Sequence, residues 1–335
     1  MKAVVFSEVH HFEIKNVEIP EINENEALIR NKYAGLRGTD LHILEGGYIA
    51  TYPIIPGHEF SGIVEEVGKN VKNFKKGDKV AIDPTVTCND CYFCKKNEQN
   101  LCINKGSYGT AFNGGFAEYT KVLGINLYNI DKISLKEAAI MEPLSCAIYG
   151  LSRMQINYGD KALIFGAGSI GLILLQLLRL SGVSRVTMVD IHKEKVELAE
   201  KLGADEVLMN DESLSEKLRS ISKYGFDILI DATGSIKACE KIFEYASNNA
   251  RILLYGVCSK EQKICVNPYI IFRKSLSIFG AFSLNRTMIR AIELLENNRI
   301  NLKDLISHEF RLDEFADALK LAKSGKFSKI LFNCD

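Results

Sequence analysis

The chain has 335 residues, of which 47% are hydrophobic and 25% charged. This composition excludes a disordered protein, and the length exceeds that at which a single hydrophobic core stops growing, so we expect two domains. Lys plus Arg and Asp plus Glu each number 42, without a long run of like charge, which excludes a typical nucleic-acid binder.

The apolar runs of the chain are short. Only four clearly apolar residues lie between Lys2 and Ser7, too few for a signal-peptide core. The longest run, ILLQLL within 169–180, is far below the ~20 residues that a membrane span needs. We therefore expect a cytoplasmic protein with a small-molecule ligand and no membrane or nucleic-acid partner.

The first part of the chain, up to about Leu123, consists of short apolar or alternating runs such as KAVVF and SGIVEEVG. Gly, Pro, Asn and Asp separate these runs, which is typical of an all-β, barrel-like domain. In this region GHE supplies an imidazole, His58, next to a carboxylate, Glu59. A lone histidine in a loop usually has no catalytic role. The pair gains meaning only with Glu142, at the expected junction of the two domains.

Four of the nine cysteines have the spacing C-x2-C-x2-C-x7-C: Cys88, Cys91, Cys94 and Cys102. In a reducing compartment, four thiolates at this spacing predict a closed, structural zinc site. An iron–sulfur cluster is the alternative, but the ferredoxin run has a shorter last spacing and a following proline. The other cysteines are expected to be small buried hydrophobes: Cys146, Cys239, Cys258, Cys265 and Cys334.

From Lys161 onwards, strand-like runs alternate with helical ones. The predicted helices span 169–180, 193–202 and 236–246, which indicates βαβ units and a parallel sheet. The tail, 284–335, contains two further helices and a final strand, and Asp313 and Gly325 are the expected N-cap and terminator of the second helix. Because the tail is not another βαβ repeat, we expect it to complete the first domain.

The stretch FGAGSIG follows a predicted strand and begins a helix, the context in which G-x-G-x-x-G indicates dinucleotide binding. Gly166 would make the tight turn, Gly168 would let the backbone approach a diphosphate, and Gly171 would allow close helix–sheet packing. Ser169 and Ile170 would begin the helix whose N-terminus binds the diphosphate.

Asp190 lies nineteen residues after Gly171, at the end of the next strand. A carboxylate there binds ribose hydroxyls and repels a 2′-phosphate, so NAD is favoured over NADP. Val257 and Phe282 follow later strands on the face where the nicotinamide should lie, and their backbone is expected to bind it. Three nearby basic residues could weaken the preference for NAD, although they are also typical of a solvated helical turn: His192, Lys193 and Lys195.

Together these motifs resemble the medium-chain zinc-dependent dehydrogenases, the alcohol, polyol and threonine dehydrogenase group. The similarity runs from end to end, through GTDLH, PIIPGHEFSGIVEEVG, GDKVAIDP, the four-cysteine loop, GGFAEY, EPLSCAIYG, GAGSIG and DATG. Glu142 in EPL is similar to the polyol and threonine branch, in which a glutamate replaces the second cysteine ligand of the alcohol dehydrogenases.

The resemblance implies an α/β protein in which a GroES-like β-barrel catalytic domain is split around a Rossmann doubly wound parallel-sheet domain. The first would comprise 1–143 plus 284–335, with a structural-zinc lobe near 84–105, and the second 144–283. It also implies NAD(P)-linked oxidation of a secondary alcohol by a homodimer or homotetramer. The apolar last strand, SLSIFGAF, would pair with its twin in the dimer.

The resemblance also assigns roles around GTDLH. Thr39 matches the hydroxyl that takes the alcohol proton, His42 the exit of that proton to solvent, and Asp40 a supporting residue. We expect Gly38 to form a turn. In the family the preceding residue is a cysteine that binds the catalytic metal, but here it is Arg37, whose guanidinium has no lone pair to offer.

Three interpretations of Arg37 are open at the level of sequence. In the first, zinc is held by His58, Glu59 and Glu142 with water. In the second, no metal binds, and Arg37 pairs with one of the two glutamates and orients a polar substrate oxygen. In the third, the substitution marks a damaged or engineered site, and the protein is an impaired dehydrogenase or a cofactor-binding module.

The leading functional hypothesis is an NAD-dependent polyol dehydrogenase. The first alternative is a zinc-free reductase of the quinone-oxidoreductase kind, which the four-cysteine loop disfavours. The second is a non-catalytic NAD-binding protein of the same fold.

Overall fold

The computed structural model describes residues 1–335, and the chain divides into two compact units. The first contains Met1–Ser145, Leu284–Asn298 and Leu302–Asp335, and the second Cys146–Ser283 and Arg299–Asn301. The second unit is thus inserted in the sequence of the first. The short segment 299–301, which the sequence places in the tail, belongs to the inserted unit.

The strands are β1 Lys2–Glu8, β2 His11–Asn16, β3 Glu26–Leu36, β4 Glu59–Val67, β5 Lys79–Ile82, β6 Thr85–Val86, β7 Gly106–Ser107, β8 Tyr119–Leu123, β9 Leu127–Asn129, β10 Lys161–Phe165, β11 Arg185–Asp190, β12 Glu206–Met209, β13 Phe226–Asp231, β14 Ala246–Leu254, β15 Ser277–Gly280, β16 Ile306–Arg311 and β17 Lys329–Asn333. The α-helices are α1 Gly38–Leu44, α2 Tyr92–Lys95, α3 Leu135–Ala138, α4 Met141–Ser152, α5 Ser169–Leu180, α6 Lys193–Lys201, α7 Leu214–Ile221, α8 Ile236–Lys241, α9 Pro268–Lys274, α10 Met288–Glu296 and α11 Phe315–Ser324. Not one of these helices combines the length and the apolar character needed to cross a bilayer.

The first unit is built on a seven-stranded sheet in the order β16, β17, β3, β4, β5, β9, with β8 also paired to β3. Strand β17 of the tail runs antiparallel to β3 and places Ile330 opposite Leu36. This register brings the preceding residue, Lys329, towards Arg37. The ring of Phe332 lies 5.0 Å from that of Phe116, so the tail contributes to the hydrophobic core of the first unit.

The second unit has a six-stranded parallel sheet in the order β12, β11, β10, β13, β14, β15. The central strands β10 and β13 are largely buried apolar runs, as expected where helices cover both faces of a sheet. Helix α5 spans 169–180 as predicted, and every residue from Gly171 to Leu178 is buried. The predicted class, a GroES-like unit combined with a Rossmann parallel sheet, is confirmed.

Several local predictions were wrong. Gly38 does not form a turn but begins α1, because the Asp40 carboxylate accepts the Arg37 N–H at 2.9 Å and caps the helix start. Asp313 is not the N-cap of α11. The Glu314 carboxylate accepts the Arg311 N–H at 2.7 Å, and this closes a 3₁₀ turn over 312–314 ahead of the helix.

Helix boundaries also differ from the sequence interpretation. Helix α8 ends at Lys241 and continues only as a 3₁₀ turn, Ile242–Tyr245, where a longer helix was expected. Helices α7 and α9 were not predicted. Gly325 terminates α11 in the left-handed conformation at φ 69°, as expected for a glycine at this position.

Candidate active site

The four clustered cysteines bring their sulfur atoms within 4.8 Å of one another. Backbone groups line this cluster: the Cys91 N–H donates to Cys88 Sγ at 3.4 Å, and the Cys88 N–H to Cys102 Sγ at 3.5 Å. Hydrogen bonds from the backbone N–H groups of Cys94 and Ile103 lower the pKa of Cys91 to about 6. This set of four sulfur donors fits a tetrahedral zinc site that has no open position.

A second cluster contains the donors that the sequence singled out for a catalytic metal. The side chains of His58, Glu59 and Glu142 place one donor atom each within 4.8 Å of the other two, and all three residues are buried. His58 immediately precedes β4, Glu59 begins that strand, and Glu142 lies in the first turn of α4.

Two cations accompany this second cluster. Arg37, the N-cap of α1, places Nη1 2.6 Å from Glu142 Oε2 and 3.5 Å from Glu59 Oε1. Lys329 of β17 is 2% exposed, forms an ion pair with Glu59 Oε2 and donates to the Leu36 carbonyl at 3.0 Å. Each glutamate therefore has a cationic partner on the chain itself.

Sequence reasoning missed Lys329. The available clue was a charged residue at the start of an apolar strand, KILFN, that lies in the middle of a sheet. Lysine is almost never fully buried unless its charge is paired. A buried lysine in this strand therefore required a buried acid nearby, although nothing in the sequence identified Glu59 as that acid.

Burial and nearby charges shift the pKa values of Glu59 and His58 in the second cluster. Burial raises the pKa of Glu59, although the charges of Lys329 and Arg37 act in the opposite direction. For His58, burial alone would lower the pKa, but the negative charges of Asp40 and Glu142 outweigh burial and raise it. Asp40 Oδ1 lies 3.6 Å from His58 Nδ1, and its carboxylate also accepts the Arg37 and Gly57 N–H groups. Asp40 thus connects the start of α1 to the second cluster.

The two predicted proton-relay residues share one side of α1. Thr39 is half-buried and His42 is exposed, and residues three apart on a helix are neighbours on its surface. This arrangement suits a path from a buried hydroxyl to solvent, and the roles of both residues stay predictions.

The glycine loop connects β10 to α5. Gly166 has φ 101°, and a Cβ on Gly171 would lie 1.8 Å from the Gly166 carbonyl oxygen, so neither position tolerates a side chain. Gly168 is the N-cap of α5, and a Cβ there would meet nothing within 4 Å. Ser169 and Ile170 form the first turn of the helix. The backbone beside Gly168 is therefore open to a ligand at the helix N-terminus.

Asp190 ends β11 beside this loop. Its carboxylate accepts the N–H groups of Ala167, Ile191 and His192 at 2.7, 2.7 and 2.9 Å, so its position relative to the loop is fixed. Val257 and Phe282 follow the adjacent strands β14 and β15 and are 63% and 51% exposed. The carboxyl edge of a parallel sheet is where such folds bind their cofactors.

Two domain-family models match the chain: an alcohol dehydrogenase GroES-like domain over residues 23–132 and a zinc-binding dehydrogenase domain over 169–297. D-altritol 5-dehydrogenase of Agrobacterium fabrum is 35% identical, over 94% of this chain and 94% of its own. The chain belongs to the zinc-dependent medium-chain dehydrogenases.

Solved structures agree with this assignment. A provisionally assigned zinc-binding dehydrogenase from Sinorhizobium meliloti 1021, bound to NADP, superposes with a TM-score of 0.95 at 30% identity and covers 99% of this chain and 98% of its own. An alcohol dehydrogenase from Escherichia coli CFT073, complexed with NADH, gives a TM-score of 0.93 at 31% identity over 99% of both chains. The predicted family and enzyme class are confirmed: this medium-chain dehydrogenase is an oxidoreductase of the alcohol dehydrogenase type.

The catalytic zinc of the family does not fit the second cluster of this dehydrogenase. The two glutamates are balanced by Arg37 and Lys329, so a divalent ion would add uncompensated charge. At a separation of about 4 Å and an effective dielectric constant of about 20, Zn²⁺ and a guanidinium repel each other by roughly 8 kcal/mol. That repulsion is a large part of the roughly 10–16 kcal/mol with which structural zinc binds to zinc-finger peptides.

One further pair of cysteines lies in the second unit. Cys239 Sγ is 3.8 Å from Cys258 Sγ and donates to Asp231 at 3.3 Å. The expectation that the scattered cysteines are buried holds for Cys146, Cys239 and Cys334. It is wrong for Cys265, which is exposed in the connection between β14 and α9, and Cys258 is only partly buried.

Proposed function

We propose that the protein transfers hydride between NAD and a polyol or a related secondary alcohol. The observation that carries this proposal is the similarity to D-altritol 5-dehydrogenase over 94% of both chains. The open glycine loop and the fixed Asp190 of the second unit support the nicotinamide half of the reaction.

Bound at the glycine loop, NAD would supply the hydride chemistry of this reaction. The chain's own residues handle the proton of the hydroxyl group. Thr39 would accept that proton and His42 would pass it to solvent, which suits their half-buried and exposed positions on α1. Asp40 would hold the start of this helix through the Arg37 N–H.

We propose NAD rather than NADP as the preferred cofactor. The Asp190 carboxylate would accept ribose hydroxyls and repel a 2′-phosphate. Related structures contain NADP in one case and NADH in another, so family membership alone does not decide the matter. An Asp190→Ser variant should lose at least tenfold in kcat/KM with NAD and gain with NADP. An unchanged ratio of the two kcat/KM values would contradict the assignment.

The four-cysteine lobe is proposed to hold one structural zinc. Because all nine cysteines are free thiols, this role also fits a reducing compartment such as the cytoplasm.

For the oligomer we propose a homodimer or homotetramer in which β15 pairs with its twin, since β15 is the last strand of its sheet and exposes Ile278. Light scattering that found only monomers would contradict this assembly.

The function is tested with a panel of hexitols and pentitols, oxidised with NAD, and the matching ketoses, reduced with NADH. The expected result is turnover of at least one polyol–ketose pair, with D-altritol as the first compound to try. Tight NADH binding without turnover across the panel would favour the non-catalytic alternative. Reduction of quinones but not of ketoses would favour the zinc-free reductase.

A further inference from the structure

We infer that Arg37 takes the place of the catalytic zinc, so that the protein holds one zinc per chain, in the four-cysteine lobe, and a guanidinium at its active centre. The inference about the metal follows from the ion pairs of the first unit alone. The role of Arg37 towards the substrate rests on the proposed function.

The first step of the argument concerns the position of Arg37. It stands immediately before GTDLH, where the family has its cysteine ligand, and it is the N-cap of α1. From there its Nη1 reaches Glu142 at 2.6 Å and Glu59 at 3.5 Å. The positive charge therefore lies among the donors that would otherwise surround the metal.

The second step concerns Lys329. Its ammonium group is buried and pairs with Glu59, and it also donates to the Leu36 carbonyl. The charge of Glu59 is thus already balanced by a residue other than Arg37, and that of Glu142 is balanced by Arg37. Arg37 and Lys329 thus balance the two glutamates. With the Asp40 carboxylate beside His58 also counted, a divalent ion would leave these side chains with an excess of one positive charge.

The third step concerns the remaining donor, His58. Its Nδ1 lies 3.6 Å from Asp40 Oδ1, and Asp40 in turn holds the Arg37 and Gly57 N–H groups. Without the carboxylates, a metal would keep a single imidazole from the protein. One nitrogen ligand is far short of the three protein ligands that a catalytic zinc site uses.

A guanidinium supplies part of what a metal supplies. It is permanently charged and donates hydrogen bonds, so it stabilises negative charge that develops on a hydroxyl or keto oxygen in the transition state. It has no vacant coordination position, and so it does not lower the pKa of a bound alcohol as zinc does. The ligand class is therefore a neutral polyol hydroxyl or the corresponding ketone oxygen.

The test is the zinc content of the purified full-length chain, measured by elemental analysis for the wild type, Arg37→Cys, Arg37→Lys and Arg185→Cys. Arg185→Cys is a matched control because it introduces the same thiol at another position. Arg185 lies on the surface and pairs only with Glu206 at 3.6 Å. We expect about two zinc ions per chain in Arg37→Cys and about one per chain in the wild type, Arg37→Lys and Arg185→Cys. Replacing zinc by Co²⁺ during growth should give a thiolate-to-cobalt absorption band that is stronger in Arg37→Cys than in the wild type.

Two zinc ions per wild-type chain would overturn the inference, as would an Arg37→Cys variant that folds but keeps one. Where Arg37→Cys does not fold, the wild-type and Arg37→Lys counts still decide. A chelator that changes wild-type turnover less than twofold supports the inference, and one that abolishes turnover with zinc retained in the lobe opposes it.

One zinc without turnover on any polyol would refute the proposed function and leave the metal inference intact. Two zinc ions with turnover would do the reverse.

Discussion

The first unit contains two clusters of metal-ligand side chains that differ in their donor atoms and in the charges that accompany them. In both, the donor atoms lie within 4.8 Å of one another. Backbone N–H groups donate to the sulfur atoms of Cys88 and Cys102 in the cysteine lobe, whereas Arg37 and Lys329 neutralise the carboxylates of the second cluster. Proximity of donors is therefore necessary for a metal site but does not decide occupancy, because the charges already present around the donors also count.

The largest expected effect, loss of the bound metal together with destabilisation, comes from removing a donor of the cysteine lobe. Cys102→Ser should reduce the zinc content from one per chain to near zero. If free zinc exceeds the dissociation constant 1,000-fold, the lost binding destabilises the protein by about 4 kcal/mol. Elemental analysis and urea unfolding measure the two effects. Cys265→Ser is the control, since this exposed cysteine lies outside the lobe. Retention of zinc in Cys102→Ser would contradict a four-thiolate site.

In the second cluster, the loss of a cation, rather than of a metal-ligand donor, should destabilise the protein. Lys329→Met leaves the Glu59 carboxylate buried without its partner, and breaking such a buried pair costs about 3–5 kcal/mol. Adding Glu59→Gln removes the unpaired charge, so the double variant should recover more than half of the loss in the free energy of unfolding. Additive effects of the two substitutions would show that the pair is not coupled.

A partly buried carboxylate without an ion-pair partner, Asp83, gives an intermediate effect. Burial raises the pKa of Asp83 to about 6, although the Thr85 N–H hydrogen bond opposes the rise. Because the folded-state pKa is raised, ionisation of Asp83 disfavours the folded state. The stability that the protonated carboxyl contributes is therefore lost as pH rises from about 4 to about 6. Asp83→Asn should exceed the wild type in stability by up to about 3 kcal/mol at pH 7.5 and by little near pH 4. Urea unfolding at both pH values measures the difference, and an equal gain at both would contradict it.

The smallest effect is expected where only two thiols meet. Cys239 and Cys258 lie close together but provide too few donors for a tetrahedral zinc site. Cys258→Ser should therefore leave the zinc content unchanged and alter the free energy of unfolding by less than about 1 kcal/mol. A loss of zinc from this variant would show that two thiols suffice to hold the metal here.

What the sequence revealed depends on the separation of the interacting residues. The cysteine lobe and the glycine loop are local, and their spacing alone indicates the chemistry. The Arg37–Glu142 pair joins residues 105 apart, and the Lys329–Glu59 pair joins residues 270 apart. Sequence reasoning offered the first as one of three interpretations and missed the second, because only the β3–β17 register brings Lys329 to this position.

The local errors have a related cause. Gly38 and Asp313 were assigned from residue preferences, glycine for turns and aspartate for N-caps. In the structure, the carboxylates of Asp40 and Glu314 decide where the helical turns begin, by binding the N–H groups three residues earlier. A rule based on the preference of a single residue takes no account of a neighbouring carboxylate that decides where the helical turn begins.

Arg37 is part of the polypeptide, and this distinguishes its charge from that of a bound ion. Every newly made zinc centre must select its metal from a mixture, and copper binds most nitrogen and sulfur sites more tightly than zinc does. A guanidinium is fixed when the chain is translated. The centre that Arg37 forms with Glu142 and Glu59 is therefore complete in each folded molecule, whatever the copper-to-zinc ratio around it.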